Sequence, residues 1–294
     1  MKISSSPFFA ALFLAAFLSL PLKAQVFIDL LNFNAQTFQS TYKDSIQSKN
    51  LTTNYNLNVF LPKKFKNGNT FMFRIAGENL HSVYQSSYSN LYSISIPIGF
   101  QFVSKNKKWK TLVMGIPKIA SDLKDNLSKD VQYGGTVLFT YVQNDSLLKL
   151  KFGLYYNREC FGNFFVPLVG LDWKATNRIS VYGILPNNMR VEFKVNSKLY
   201  FGMGYKNYQR SYRLSRQFND DFVRIKEGQL KLFVDFYTKM KVVFFTDVAY
   251  GIKYSLVQYD YADAKLVHLN NPVYSPMKNG FMFTAGLAYR LRMD

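Results

Sequence analysis

One cysteine, two histidines and two tryptophans in 294 residues leave several kinds of chemistry without their usual side chains. Cys160 alone closes no internal disulfide, and its even parity with Phe152 and Leu154 reads as a small apolar residue at a strand end. Neither His81 nor His268 has a Cys, His or carboxylate neighbour at ligand spacing, so no metal site is expected, and no motif calls for a cofactor. His81 and Ser82 are the residue types of a membrane-surface hydrolase, but no G-x-S-x-G accompanies them. An interfacial or loop histidine, and no enzyme, is the expectation. The basic stretches Lys63-Lys64 and Lys105-Asn106-Lys107-Lys108 lack the glycines of a phosphate loop and read as solvated turns.

Long apolar runs are also missing. Beyond residue 25 none reaches the length of about 18 that a spanning helix needs, because Lys, Arg, Asp, Asn or Gln interrupts each one, which excludes a helical membrane protein. The exception lies at the start. Lys2 precedes a polar segment, Phe8 to Leu20 is apolar or small throughout, and Leu22-Lys23-Ala24 ends on a small residue, so residues 1–24 read as a secretory signal peptide cut after Ala24. Residues 25–294 then form a single domain. Removing Lys2 and Lys23 with the signal leaves +17 of the formal +19 charge. The basic residues are scattered over strand faces and turns without a helix-turn-helix, zinc or RNA-binding signature, so nucleic acid is not an expected partner and lipid phosphates or anionic solutes are.

What is plentiful is aromatic side chain, 17%, nearly all Tyr (21) and Phe (28), arranged with a period of two. Between Leu147 and Leu185 two long hairpins show it best. Leu148, Leu150, Phe152, Leu154 and Tyr156 alternate with Lys149, Lys151, Gly153, Asn157 and Glu159; Phe165, Pro167, Val169, Leu171 and Trp173 alternate with Gly170, Asp172 and Lys174. Such arms exceed the usual five or six residues of a soluble strand and suit a bilayer. The same pattern recurs from Val26 to Arg292. It gives an all-β, antiparallel up-and-down transmembrane barrel of about fourteen strands, with about twelve as the alternative. If the N-terminus starts in the periplasm, the even connections (PKKFKNGN, SKNKK, QNDS, ATN, NS, TKM) are short turns. The long ones, Gln39 to Asn50, Ala120 to Val131, Tyr208 to Arg224 and Gln258 to Asn279, are all odd. FGN is then an outer loop and ATN a periplasmic turn. A soluble sandwich of hairpins has no reason to sort its loops that way.

Parity also selects a lumen-facing set: Arg74, Glu78, Lys149, Lys151, Glu159, Asp172, Lys174, Arg190, Glu192, Lys194, Lys206, Lys231, Asp235, Asp247, Lys253, Arg290 and Arg292. Around water this positive surplus favours anions; packed together, the same residues plug the barrel. Arg210, Arg213 and Arg216 with Asp220 and Asp221 are expected in an external loop that folds into the lumen as a constriction, contacts lipopolysaccharide phosphates or is simply solvated. Pro167, on the lipid-facing parity, cannot donate a ladder bond, which predicts a bulge or a missing hydrogen bond.

The core hairpins resemble an uncharacterised domain-of-unknown-function family of outer-membrane β-barrels from Gram-negative bacteria. The resemblance rests on Gly153-Leu154-Tyr155-Tyr156, Phe161-Gly162, Pro167-Leu168, Gly170, Trp173, Leu185-Pro186, Val234-Asp235-Phe236 and Gly251. It implies outer-membrane location and architecture, and no activity or catalytic residue. Outer-membrane lipids, lipopolysaccharide and the barrel-assembly machinery are the partners to expect. The functional expectation is a porin-like passive channel for a small solute; the alternatives are a non-conducting structural, adhesive or assembly-partner barrel and, third, a lipid hydrolase.

Overall fold

In the computed structural model the described residues are 27–41, 49–82, 90–125, 127–143, 147–259 and 280–293. The expected signal peptide, His268 and most of the expected loops at 39–50 and 258–279 lie outside them. The period-2 stretches become β1 (Phe27–Thr41), β2 (Lys49–Lys64), β3 (Thr70–Ser82), β4 (Asn90–Ser95), β5 (Ile98–Val103), β6 (Trp109–Ser121), β7 (Val131–Val142) and β8 (Leu148–Glu159). They continue as β9 (Gly162–Lys174), β10 (Ile179–Leu185), β11 (Asn188–Lys194), β12 (Leu199–Arg213), β13 (Phe222–Tyr237), β14 (Val242–Tyr259) and β15 (Phe281–Arg292). β4 and β5 both lie between β3 and β6, and the Ile96-Pro97 break between them is bridged by Arg74 N–H to Pro97 O (2.9 Å) and Ile96 N–H to Pro117 O (3.0 Å). They are one stave, so the wall has fourteen. β1 pairs antiparallel with both β2 and β15 and closes the barrel.

Alternation decides which side each residue meets. Phe165, Leu232, Phe283 and Met203 stand about 60% exposed on the outside, whereas Asp235, Glu192 and Gln229 on the opposite parity are buried at 1–2%. Exposed apolar side chains around the whole wall are stable only against hydrocarbon, so the belt is lipid-facing.

The wall departs from regularity at its outer end. β10 and β11 are short: the β9–β10 ladder stops at Val169 opposite Leu185, and β11–β12 stops at Asn188 opposite Lys206. Beyond that height β12 and β13 stay paired with each other up to Arg213 and Phe222, and β13 with β14 up to Tyr259, while the β14–β15 ladder ends at Tyr250. These outer halves form a three-stranded flap. A bulge between Gly228 and Gln229 marks where it leaves the cylinder, since the extra residue on β14 bends the ribbon there. The flap crosses the mouth. Arg213 bridges to Ser121 of β6, and Tyr212, Leu214, Val223 and Ile225, all at most 1% exposed, pack on Phe38, Leu80, Leu91, Ala120, Ala249 and Met282.

Two expectations change as a result. The segment Tyr208 to Arg224 is not one long loop: Arg210 and Arg213 belong to β12 and Arg224 to β13, and only Leu214 to Asp221 connect them. The reason is that inward alternation runs on through Lys206, Tyr208, Arg210 and Tyr212, burying charges against partners across the lumen rather than releasing them to water. At Pro167 there is no bulge, and the β8–β9 ladder runs through it as Leu154 opposite Pro167. Lys174 N–H donates to Leu147 O just before β8 (2.9 Å), so even residues of β9 aim their N–H at β8 and odd ones at β10. Pro167 is odd and lies beyond the last β10 partner, so its missing donor faces a side with no strand to receive it.

Candidate solute pathway through the barrel

Inward residues of β1, β2, β3 and β11 to β15 enclose a cavity of about 330 Å³. Its lining includes Asn32, Asn34, Gln36, Asn56, Asn58, Arg74, Lys206, Lys231 and Asp247. Carboxylates in this half are paired. Asp235 accepts from Arg190 and Arg290 (both 2.6 Å), Arg290 also holds Asp29 (2.5 Å), Arg292 holds Glu192 (2.6 Å) and Lys231 holds Asp247 (3.1 Å). The amides form a ladder of their own, Asn32 to Asp29, Asn34 to Asn32 and Asn56 to Asn34. A buried ion pair offsets its own desolvation at best, so this network gives the lumen a fixed polar surface more than net stability. Toward the short turns, Tyr237 accepts hydrogen bonds from Arg290 and Arg292, and Arg292 stacks 3.8 Å over Tyr200.

On the facing wall, Lys151 pairs with Asp172 (2.6 Å) and Lys118 with Glu159 (2.8 Å). Lys149, only 5% exposed, and Lys110 on the same inward parity have no carboxylate within 4 Å among the described residues. A cationic surplus therefore remains inside the barrel near the short-turn end. Between these charges the wall is apolar, with Leu112, Met114, Leu138 and Leu168 facing inward.

The flap is held across the mouth by polar bonds as well as apolar packing. Glu78 of β3 meets Arg210 at 2.5 Å and accepts from Tyr212 OH at 2.8 Å. Arg210 also meets Glu227 (3.3 Å), which takes a short hydrogen bond from Gln229. Ser211 OH donates to Glu159 (2.9 Å) and accepts from Cys160 N–H (3.1 Å), while Gln132 donates to Ser211 O (3.1 Å). At the tip Arg213 meets Asp220 (3.0 Å), Asp122 accepts from Ser215 OH (2.8 Å), Arg216 N–H donates to Asp125 (2.5 Å), and Asp221 O accepts from Leu214 N–H (2.8 Å). Burial pushes the Cys160 thiol and the Asp130 carboxyl above their ordinary values.

Of the residues singled out by parity, Arg74, Arg190, Lys206, Lys231, Asp235, Asp247 and Arg290 come together around the cavity, and Glu192 and Arg292 beside it. Glu78 and Glu159 sit under the flap; Lys149, Lys151 and Asp172 form the facing cluster. Lys174 is exposed at the rim, and Lys194 stands 5.8 Å from the Tyr200 ring. Lys253 pairs with Gly228 past the bulge, and its side chain lies outside the described residues. His81 Nδ1 lies 3.0 Å from Asn90 Oδ1, and Ser82 pairs with Thr52 at the end of β3, its side chain again outside the description. Sequence parity overlooked Asp29, Lys118, Arg210 as a lumen residue, and Glu227. Asp29 is hidden because a bulge between it and Leu31 breaks the alternation, while Glu227 and Gln229 were legible as a continuation of Lys231 and Asp235 two residues at a time.

Comparison with solved structures gives a TM-score of 0.50 against a deletion mutant of the TodX monoaromatic hydrocarbon channel, at 10% identity over 89% of both chains. The fold is an outer-membrane β-barrel. The NanC porin (TM-score 0.43, 8% identity, 89% of this chain and 100% of that one) also matches. So does an outer-membrane channel from Pseudomonas putida F1 (0.46, 7%, 94% and 98%). No protein-family model and no curated protein sequence matches the chain.

Proposed function

We propose that this barrel is a passive outer-membrane channel for a small anionic solute, closed at its outer mouth by the β12–β14 flap. The carrying observation is the polar cavity of about 330 Å³ inside a wall whose exterior is lipid-facing. Its size is at the small end of ligand-sized cavities, ~300–1,000 Å³. Lys110 and Lys149, left without carboxylates on the facing wall, support the preference for anions, as basic side chains do in anion pores. The path needs no chemistry: a solute exchanges part of its hydration for amides and paired charges and leaves down its gradient. The residues of the β8–β9 hairpin support kinship with the uncharacterised barrel family they resemble, and with it assembly by the barrel-assembly machinery.

One observation favours a second reading. The apolar packing beneath the flap joins it to β1, β3, β4, β6 and β15, which suits a sealed barrel acting through its outer surface. Liposome swelling with neutral and negatively charged sugars separates the two. Swelling that is faster for the charged sugar supports the channel. No swelling, together with no conductance in planar bilayers at any voltage, rejects it.

A further inference from the structure

The charge of this protein is sorted along the barrel axis in a way the pathway does not use. Among the described residues, every charged side chain in the short turns is basic; the one acidic residue the sequence places in those turns, Asp145 of QNDS, lies outside the described residues. Lys66, Lys105, Lys107, Lys108, Lys239 and Lys241 stand exposed there, with Arg178 and Lys198 in the turns between them. The opposite end mixes signs, with Asp122, Asp125 and Asp220 beside Lys124, Lys129 and Arg216. Attraction of solute into the lumen does not account for the ring, because its members sit on the rim and Lys63 lies on the exterior parity of β2, 6.0 Å from the exposed ring of Phe65.

Both tryptophans of the chain mark the same level. Trp109 and Trp173, 41% and 46% exposed on the outer face, are the sequence neighbours of Lys108 and Lys174. Indole rings on a lipid-facing surface settle at the boundary between hydrocarbon and headgroups. The lysines one step beyond them are therefore at the height of lipid phosphates. We propose that the short-turn end of this barrel is a docking ring for anionic glycerophospholipids of the leaflet it faces, with Lys and Arg ammonium and guanidinium groups on the headgroup phosphates. The observations favour a membrane over a soluble acidic partner because the basic residues recur in turns around the circumference and two of them adjoin the outward-facing Trp109 and Trp173.

The chain carries its own probe, since both tryptophans stand at this end. The full protein is refolded into vesicles in which brominated phosphatidylglycerol is diluted in plain phosphatidylcholine, and into vesicles with the bromine on phosphatidylcholine instead. The expected result is stronger Trp quenching by the brominated anionic lipid at equal mole fraction. The relative binding constant should be on the order of tenfold, falling toward one in about 0.5 M salt. Lys66→Gln/Lys105→Gln/Lys107→Gln/Lys108→Gln should abolish the preference, whereas Lys124→Gln/Arg216→Gln at the other end should leave it intact. Heat-modifiable mobility in gels verifies folding. If the fourfold variant does not fold, Lys239→Gln/Lys241→Gln and the salt series on the unaltered chain decide the matter. Equal quenching by both lipids overturns the proposal. So does a lysine variant that retains its lipid preference but loses binding to lipopolysaccharide or to isolated peptidoglycan.

Discussion

Glu78→Gln is the sharpest test of the flap as a gate. The carboxylate ties β3 to the flap through Arg210 (2.5 Å) and Tyr212 OH (2.8 Å), and also accepts from Asn54 (2.8 Å). A glutamine of the same shape keeps one acceptor for Asn54 but loses the charge and the second acceptor. A hydrogen bond to a charged group contributes about 1.5–3 kcal/mol, and because Arg210 retains Glu227 the lower part of that range applies, ~2 kcal/mol. That shifts the ratio of closed to open flap by about 30-fold. The apolar contacts of Leu214, Val223 and Ile225 are untouched, so the variant should still close. Single-barrel recordings in planar bilayers should then show openings about 30-fold more frequent at unchanged unit conductance. If Glu78→Gln and the double variant Glu78→Gln/Arg210→Gln both fold and both stay silent, the flap is not a gate and the sealed-barrel reading stands.

Four further outcomes follow from the same geometry. Ser211→Cys, introduced where Ser211 OH already contacts Cys160 N–H, should cross-link to Cys160 under oxidation and abolish conductance, which reductant restores; oxidised protein that conducts normally refutes the closure. Lys149→Gln/Lys110→Gln should lower the anion-over-cation permeability ratio severalfold, read from the reversal potential in a KCl gradient, and an unchanged ratio removes these lysines from the path. In β9, Gly170→Val should prevent folding, because a Cβ there collides with the backbone at Gly183 O and Ile184 Cα, whereas Pro167→Val should change stability by less than ~0.5 kcal/mol in urea titrations. Burial, with Asp122 and Asp125 nearby, holds the Asp130 carboxyl above its unfolded value against the opposing Ser121 hydrogen bond and Arg213 charge. Ionisation therefore costs stability: the cost is absent below the unfolded pKa and complete above the folded one. Hydrogen-exchange protection in residues 127–130, measured relative to the intrinsic amide rate at each pH, should rise as pH falls through that range, and Asp130→Asn should remove the rise.

The local sequence by itself determined the wall. Alternation within each strand leaves it only two faces, and in a closed sheet those faces are lipid and lumen, so the belt and most lumen residues follow from parity. The sorting of short and long connections oriented it. What parity could not carry was anything that breaks or outruns it. The bulges at Leu30 and Ile252 each shift the count by one, and the first of them hides Asp29. Arg210 and Arg213 looked like loop charges because an arginine-rich stretch between strands is ordinarily solvated. Only the tertiary structure brings Glu78 to Arg210 and Ser121 to Arg213, from strands far apart in the chain, and so turns a loop into a flap. The same holds for Lys149 and Lys110: their types and facing are written in the sequence, but Lys149 is left without a carboxylate because Asp172, its direct ladder partner on β9, bonds the diagonal neighbour Lys151 instead, a choice made by side-chain packing on the β8–β9 hairpin.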